Sequence, residues 1–434
     1  MKALALVDGE HYPDVVIAAL AELPYDVVGA VMLGGSEKLR EGVPDYGVPL
    51  WDKLEDALAE VDVDVDVVVD LSDEPVVGPR RRFRLASRTL ASGIPYVGAD
   101  FRLDPVAFMP YAQPALAVIG TGKRVGKTAV AGHVARMLSE SREVVVVAMG
   151  RGGPPEPVVV DVKPTVEDLL ALSRTGVHAA SDYLEDAALA GVVTIGARRC
   201  GGGLAGAPFL SNVEEAAEVA ASLNPDLVLL EASGATIPPV EAGRRIIVAG
   251  AHQEPEILSG NLGPYRLFLS DLVVLTMCEE PLASPAQVDA MRAAVAEVDP
   301  ELPVIATVLR PRPVEPVAGR RVAFFSTAPE AIHERLREHL EREYGAEVIL
   351  VSGNLARREE LHRDLGSPAA AEAEVYLVEI KAAAIDVVAE AAETRGTRVV
   401  FADNAVVPLP GEADLDERVR VLADAVAGRP AAVR

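Results

Sequence analysis

The sequence predicts an α/β protein built on mostly parallel sheet, with a central phosphate-binding domain and a smaller α/β unit on each side. Three observations carry this. Short apolar runs alternate with stretches of helical spacing along the whole chain, the pattern of parallel strands joined by crossover helices. A glycine-rich stretch, Gly120 to Thr128 (GTGKRVGKT), lies between an apolar run and a helical one. Pro-rich joints fall near 104–114 and 311–316, where boundaries are expected. The predicted units are residues 1–112, a Rossmann-like unit, 113–318 and 319–434.

The first unit opens with an apolar strand, Ala3 to Val7, and a polar turn, Asp8 to His11. A helix over Asp14 to Leu23, a strand over Val27 to Leu33, and a glycine turn, Gly34 to Ser36, follow. Next come a helix over Leu54 to Val61, a strand over Val65 to Leu71, a basic helix over Arg80 to Ala91 and a short strand over Tyr96 to Gly98. Ligands of such sheets sit at the carboxyl ends of the strands. Asp8, Glu10 and His11 occupy that edge and are candidate substrate contacts; helix capping and solvated charge explain them equally well.

The second unit begins with the strand Ala115 to Ile119 and the glycine-rich stretch, and then the helix Ala129 to Leu138. Strand, glycine turn, Gly-Lys-Thr and helix form a P-loop. Glycines let several N–H groups point at one anion, and the following helix presents its positive end to it. The loop Gly120, Thr121, Gly122, Lys123, Arg124, Val125, Gly126, Lys127, Thr128 and Ala129 is therefore the nucleotide site. Its first glycine stands one residue earlier than the usual spacing, with Thr121 in the usual slot. Lys127 reaches the terminal phosphates and Thr128 offers its hydroxyl to Mg²⁺. Lys123 and Arg124 supply further positive charge. Lys127, Lys123 and Arg151 are the expected catalytic cations.

Later strands are expected at Glu143 to Met149, Val158 to Val162, Leu227 to Leu230, Ile246 to Ala249, Leu272 to Thr276 and Val304 to Val308. Helices are expected at Thr165 to Ser173, Ser181 to Ala190 and Val213 to Leu223. Glu231 ends an apolar strand, where a bare acid is costly without a partner, and is the leading metal carboxylate. Asp161 is the second. Arg151, Arg198 and Arg199 lie beside glycines in loops that follow expected strands and suit bidentate phosphate contacts.

The third unit reads as strands Arg321 to Phe325, Val348 to Ser352, Val375 to Glu379 and Val399 to Phe401. Helices fall at Glu330 to Tyr344 and Lys381 to Thr394.

Composition narrows the function. The 434 residues are half apolar and a quarter charged, with a net charge of −25. This acidity argues against nucleic acid or an anionic membrane as partner. Two cysteines, Cys200 and Cys278, make no disulfide framework or zinc signature. The apolar start is too short for a signal peptide and no run is long enough to span a membrane, so a cytoplasmic location is expected.

The P-loop stretch resembles that of dethiobiotin synthetase, which shares the displaced glycine and a strand-end Glu before a small-residue loop. Over the whole chain, LVDGEHYPDVV, GTGKRVGKTA, MGRGGP, ARRCGGGLAG and LLEASGATIPPV together resemble the cyclic 2,3-diphosphoglycerate synthetase family. The resemblance implies ATP-driven closure of 2,3-bisphosphoglycerate into its cyclic pyrophosphate, releasing ADP and phosphate, with Mg²⁺ and K⁺. A homodimer is the expected assembly, although the sequence itself does not give the oligomeric state. The other readings are a carboxylate or amine ligase of the dethiobiotin synthetase type, and a P-loop switch or metallochaperone. A metallochaperone should carry a Cys/His cluster, and here these residues are scattered.

Overall fold

The computed structural model describes residues 1–35, 44–61 and 64–428. Ser36 of the expected glycine turn lies outside them. The chain forms two sheets. The first has six strands: β1 (Lys2–Val7), β2 (Asp26–Met32), β3 (Leu50–Trp51), β4 (Val67–Asp70), β5 (Tyr96–Val97) and β6 (Arg102–Leu103). Their order is β3-β2-β1-β4-β5-β6, and all but β6 run parallel. The helices α1 (Pro13–Glu22), α2 (Leu54–Glu60) and α3 (Pro79–Ala91) make the crossovers. Prolines at the start of α1 and α3 set the first helical φ without losing a bonded N–H. The basic run on α3 does not face a ligand. Arg80 and Arg84 pair with Glu297, and Arg82 pairs with Asp70.

The second sheet has thirteen strands. Through the central region these are β7 (Ala115–Gly120), β8 (Val144–Gly150), β9 (Val158–Val160), β10 (Val193–Cys200), β11 (Leu210–Ser211), β12 (Leu227–Glu231), β13 (Arg244–Gly250), β14 (Leu272–Thr276) and β15 (Val304–Pro313). The rest are β16 (Arg321–Phe325), β17 (Glu347–Ser352), β18 (Val375–Glu379) and β19 (Arg398–Pro408). The order is β11-β10-β8-β12-β7-β13-β14-β15-β19-β18-β16-β17, with β9 also on β10. The strands β7, β8, β12 and β14 are buried along their whole length, as near-continuous Val, Leu and Ile runs require when helices cover both faces.

The region expected as a third unit is joined to the second by hydrogen bonds. The first part of β15 pairs with β14 in parallel. The strand then continues through Pro311 and Pro313 as the antiparallel partner of β19, from Thr307 opposite Pro408 to Pro313 opposite Ala402. The helix Leu415–Ala427 returns to pack on β7, β13 and the P-loop helix α4 (Lys127–Ser139). Two further helices, α5 (Val166–Arg174) and α6 (Asp182–Ala190), precede β10. The strand ahead of the arginine loop, β10, runs on to Cys200, so Arg198, Arg199 and Cys200 are its last residues and not part of the expected loop. The expected helix after Glu379 begins instead as a π turn, Ala384–Ala389, before the α-helix Glu390–Arg395.

Candidate active site

The P-loop curls between β7 and α4. Gly126 and Arg124 both take left-handed φ, at 81° and 59°. At Gly126 the requirement is also steric, because an added Cβ would meet Leu309 at 3.1 Å and Thr276 at 3.2 Å. The displaced glycine has a different reason. A Cβ on Gly120 would stand 2.5 Å from Lys127 Cδ and 2.8 Å from Cγ, so this glycine opens the channel along which the lysine stem runs. Thr121, in the usual glycine slot, is held by its own bonds: its N–H donates to Val248 O at 3.1 Å and its hydroxyl to Gln253 Oε1 at 2.6 Å. Thr276 donates to Val125 O at 2.7 Å and fixes the far side of the loop.

Lys127 is buried and its Nζ donates to Gly122 O at 2.5 Å. Burial pulls its pKa down to about 8 against the opposing pull of Glu231 and Asp182, while Arg199 and Lys123 add to the lowering. An ammonium held curled back on its own loop, short of partners, is poised for phosphate.

Facing it is a group of buried acids. Glu231 ends β12 and is 2% exposed. The hydroxyl of Thr128 and the carboxyl of Asp186 are within hydrogen-bonding reach of it, and its Oε2 has no partner. Asp182, Glu185 and Asp186 come from the first two turns of α6. Burial raises all of them: Asp182 in spite of Lys127 and Lys381, Glu185 to about 8, and Asp186 furthest, with Glu231 adding to the rise. Of the α6 acids, Asp182 is the one that acts on Lys127, after Glu231, and it is itself stabilised by Lys123.

The arginines sit on the other side. Arg151, Arg198 and Arg199 line one open cleft of about 1250 Å³, with Asn212, Ser211 and Thr236 among its other walls. Arg199 is the buried one. Its Nη1 donates to Gly201 O and its Nη2 to Ser233 O, both at 2.9 Å, and its Nε has no partner. Gly234, left-handed at φ 62°, brings Arg199 and Lys123 together: an added Cβ would lie 2.8 Å from Arg199 Nη2 and 3.9 Å from Lys123 Cγ. Arg199 thus stands between the P-loop and the cleft. Arg151 and Arg198 are exposed.

Two expectations change. Asp161 does not reach the metal end of the loop. It follows β9, which is antiparallel to β10 with Val160 opposite Thr194, near the end of β10 remote from Arg198 and Cys200. It is exposed and lies at the wrong edge of the sheet. Asp182, and not Asp161, lies near Lys127 and Glu231. Asp8, Glu10 and His11 stand on the other sheet, and no described contact joins them to the P-loop. Asp8 is buried, and its two oxygens accept the N–H groups of Glu10 at 3.0 Å and Asp73 at 2.7 Å. His11 lies 4.0 Å from it.

The sequence reading missed the acids of α6 and the lysine that faces them, Lys381. The available signal was Asp182-x-x-Glu185-Asp186, three acids on one face of a helix whose remaining surface is buried.

Known proteins match throughout. Family models for the N-terminal, P-loop and C-terminal domains of cyclic 2,3-diphosphoglycerate synthetase match residues 2–104, 115–308 and 313–405. The chain belongs to the cyclic 2,3-diphosphoglycerate synthetase family. A relative of that name from Rubrobacter xylanophilus is 53% identical over 419 residues, covering 93% of this chain and 94% of its own. One from Thermococcus gammatolerans is 47% identical over 440 residues, covering 99% and 98%. One from Methanothermus fervidus is 43% identical over 425 residues, covering 93% and 92%. Among solved structures, hydrogenase maturation factor HypB from Archaeoglobus fulgidus aligns over 53% of this chain and 87% of its own at 13% identity, with a TM-score of 0.30. A likeness that small carries no argument about either fold detail or function.

Proposed function

We propose that the protein uses ATP to close 2,3-bisphosphoglycerate into cyclic 2,3-diphosphoglycerate, releasing ADP and phosphate. The observation that carries the reading is the placing of Arg199, which joins the P-loop cations to a cationic cleft on an otherwise acidic protein. Phosphoryl transfer depends mainly on positioning and on neutralising charge. The P-loop amides, Lys127 and Lys123 hold the nucleotide phosphates. Arg151 and Arg198 hold the bisphosphorylated substrate across the cleft, and Arg199 lies where the two ligands meet.

In the first step an oxygen of one substrate phosphate attacks the γ-phosphorus and the bond to ADP breaks. In the second, the other substrate phosphate attacks the phosphorus so activated, forming the ring anhydride and expelling the transferred group as inorganic phosphate. Lys127 and Arg199 face the phosphoryl group in flight.

The residues fit a magnesium ion. Thr128 and Glu231 lie together, Glu231 keeps a buried oxygen without a partner, and Asp182 is near. Such an ion takes one or two carboxylates and completes its shell with phosphate and water. Held by Thr128 and Glu231, Mg²⁺ would offset the negative charge of the nucleotide phosphates. The same reading carries a K⁺ requirement from the family resemblance, together with the homodimer and the cytoplasmic location expected above. No helix among the described residues is long and apolar enough to cross a membrane.

The test is phosphorus NMR of the protein with Mg-ATP and 2,3-bisphosphoglycerate, with and without K⁺. The expected result is a cyclic pyrophosphate signal rising in step with ADP and phosphate. ATP consumption without that signal, or no consumption, sinks the reading.

A further inference from the structure

The acids around the P-loop face a second cation besides the P-loop lysines, and it comes from more than 250 residues away. Lys381 follows β18, and its N–H donates to Glu379 O at 2.9 Å. The next residue, Ala382, is left-handed at φ 47°, a conformation that a residue with a Cβ adopts only when its surroundings impose it. This turn sends the lysine toward α6. Its Nζ stands 3.8 Å from Glu185 Oε1, with a third of the side chain still exposed. Glu379, Asp403 and Asp182 surround it as well.

These four carboxylates do not need Lys381 equally. Glu379 accepts from Thr327 N at 3.2 Å and from Asn404 Nδ2 at 3.0 Å. Asp403 is bound by Arg136 and Arg312. Among the described residues Glu185 and Asp182 have no comparable hydrogen bonds: Glu185 is buried with Lys381 as the cation facing it, and Asp182 is attracted by Lys127, Lys381, Lys123 and His178. When nucleotide arrives, Lys127 turns to the β- and γ-phosphates. Lys381 is then the cation that stays with α6.

We infer that Lys381 is a positioning residue of the P-loop site, an ammonium supplied by the C-terminal region that holds α6 through Glu185 and so keeps Asp182 and Asp186 aligned with Glu231. It touches neither nucleotide nor substrate and acts through the helix. The inference rests on the P-loop site as read above.

The test uses the full chain as wild type, Lys381→Met, Lys381→Arg, Glu185→Gln, the double variant K381M/E185Q, and Lys127→Ala. Product formation gives kcat and KM for ATP, and a fluorescent ADP analogue gives nucleotide affinity directly. Loss of a group that orients site residues typically costs roughly ten- to hundredfold in activity. Lys381→Met should lose that much in kcat while KM and analogue affinity stay within about threefold, the signature of a group needed in the reacting complex and not for uniform binding. Lys381→Arg should restore most of the loss. The double variant should recover part of it, because no carboxyl at position 185 is then left without its cation. If Lys381→Met does not fold, Glu185→Gln reads the same pair from its other side and should show the same split.

A kcat within twofold of wild type in Lys381→Met overturns the inference. So does a loss that neither the arginine nor the double variant relieves. If Lys127→Ala is inactive while Lys381→Met is normal, only this inference falls. If Lys127→Ala turns over normally, the P-loop reading falls and takes this one with it.

Discussion

The two sheets of this protein are ordered differently, with β1 beside β2 and β4 in one and β7 beside β12 and β13 in the other, yet each collects polar residues at the carboxyl edge of its parallel strands. They differ in how those residues are satisfied. At the edge of the six-stranded sheet, Asp8 accepts two backbone N–H groups. Asp70 accepts from Arg82 Nε, Tyr96 Oη and Ser72, all at 2.9 Å or less. Both carboxylates there are satisfied by the protein itself, although the Tyr46 hydroxyl in the same region has no partner. At the edge of the thirteen-stranded sheet, Glu231 Oε2, Asp186 Oδ2 and Arg199 Nε are buried without partners, and Lys127 bonds only its own loop. An unmet buried polar group costs about 1–3 kcal/mol. A fold that leaves several together keeps them for something that binds. Parallel sheet thus ends in a satisfied edge in one region and in an edge with unmet polar groups in the other.

The sharpest way to break this comparison is Lys127→Ala. Loss of the phosphate-facing ammonium should reduce ATP turnover by roughly a thousandfold, the upper range for removing one group that stabilises transition-state charge. Circular dichroism should show the fold intact. Wild-type turnover in the folded variant would put the chemistry elsewhere.

Glu231→Gln should come next, at about a hundredfold in Mg²⁺-dependent rate, with nucleotide affinity nearly kept. The amide preserves shape and removes the charge. Rates that equal wild type at raised Mg²⁺ and ATP would remove Glu231 from the metal site.

Arg199→Ala should lose on the order of 1.5–3 kcal/mol, roughly ten- to hundredfold. The loss should appear in kcat and in bisphosphoglycerate affinity more than in ATP affinity. Arg151→Ala and Arg198→Ala, at exposed positions, should each lose less and only toward bisphosphoglycerate. Titration of each variant with both ligands separates these outcomes. Parallel loss of ATP affinity would make the arginines nucleotide contacts.

Asp8→Asn sharpens the contrast from the scaffold side. An amide that turns a donor toward one of the two N–H groups should destabilise by about 1–3 kcal/mol and lower Tm, while kcat/KM of the folded protein stays unchanged. A selective loss of activity with Tm intact would restore the Asp8 to His11 turn as a substrate site.

The smallest effect is on pH. Lys127 titrates near 8 in the folded protein, below the ordinary lysine value of 10.5. Between those values the unfolded chain binds more protons, so this residue makes stability rise with pH across that window. Urea melts at pH 7 and pH 10 should show Lys127→Ala lacking that share of the rise; an unchanged difference would mean that the burial of Lys127 is not felt.

The sequence made the P-loop legible because its requirements are local: a left-handed Gly126, a channel at Gly120 and a helix start at Lys127. The arginines were legible as a set because glycines flank them. What stayed hidden depends on pairing over distance. Asp161 follows an apolar run that reads alike whether the strand lies parallel or antiparallel to its neighbour, and here the antiparallel partner β10 sends it to the far edge. The acids of α6 look like any solvated helix face until β12 and the P-loop close over them. Lys381 looked like the start of an ordinary helix. Strand order decides which distant charges meet, and no short window records it.

The ladder between β15 and β19 has a mechanical consequence. Seven residue pairs, from Thr307 with Pro408 to Pro313 with Ala402, run straight through the joint where a hinge would otherwise be sought. Swinging the C-terminal region aside like a jaw would mean unzipping that ladder and breaking the Arg136 and Arg312 grip on Asp403. The two regions therefore travel as one body. The cleft lined by Arg198, Cys200 and Gly201 to Gly203 is open as it stands, so a ligand can reach it without the C-terminal region swinging aside.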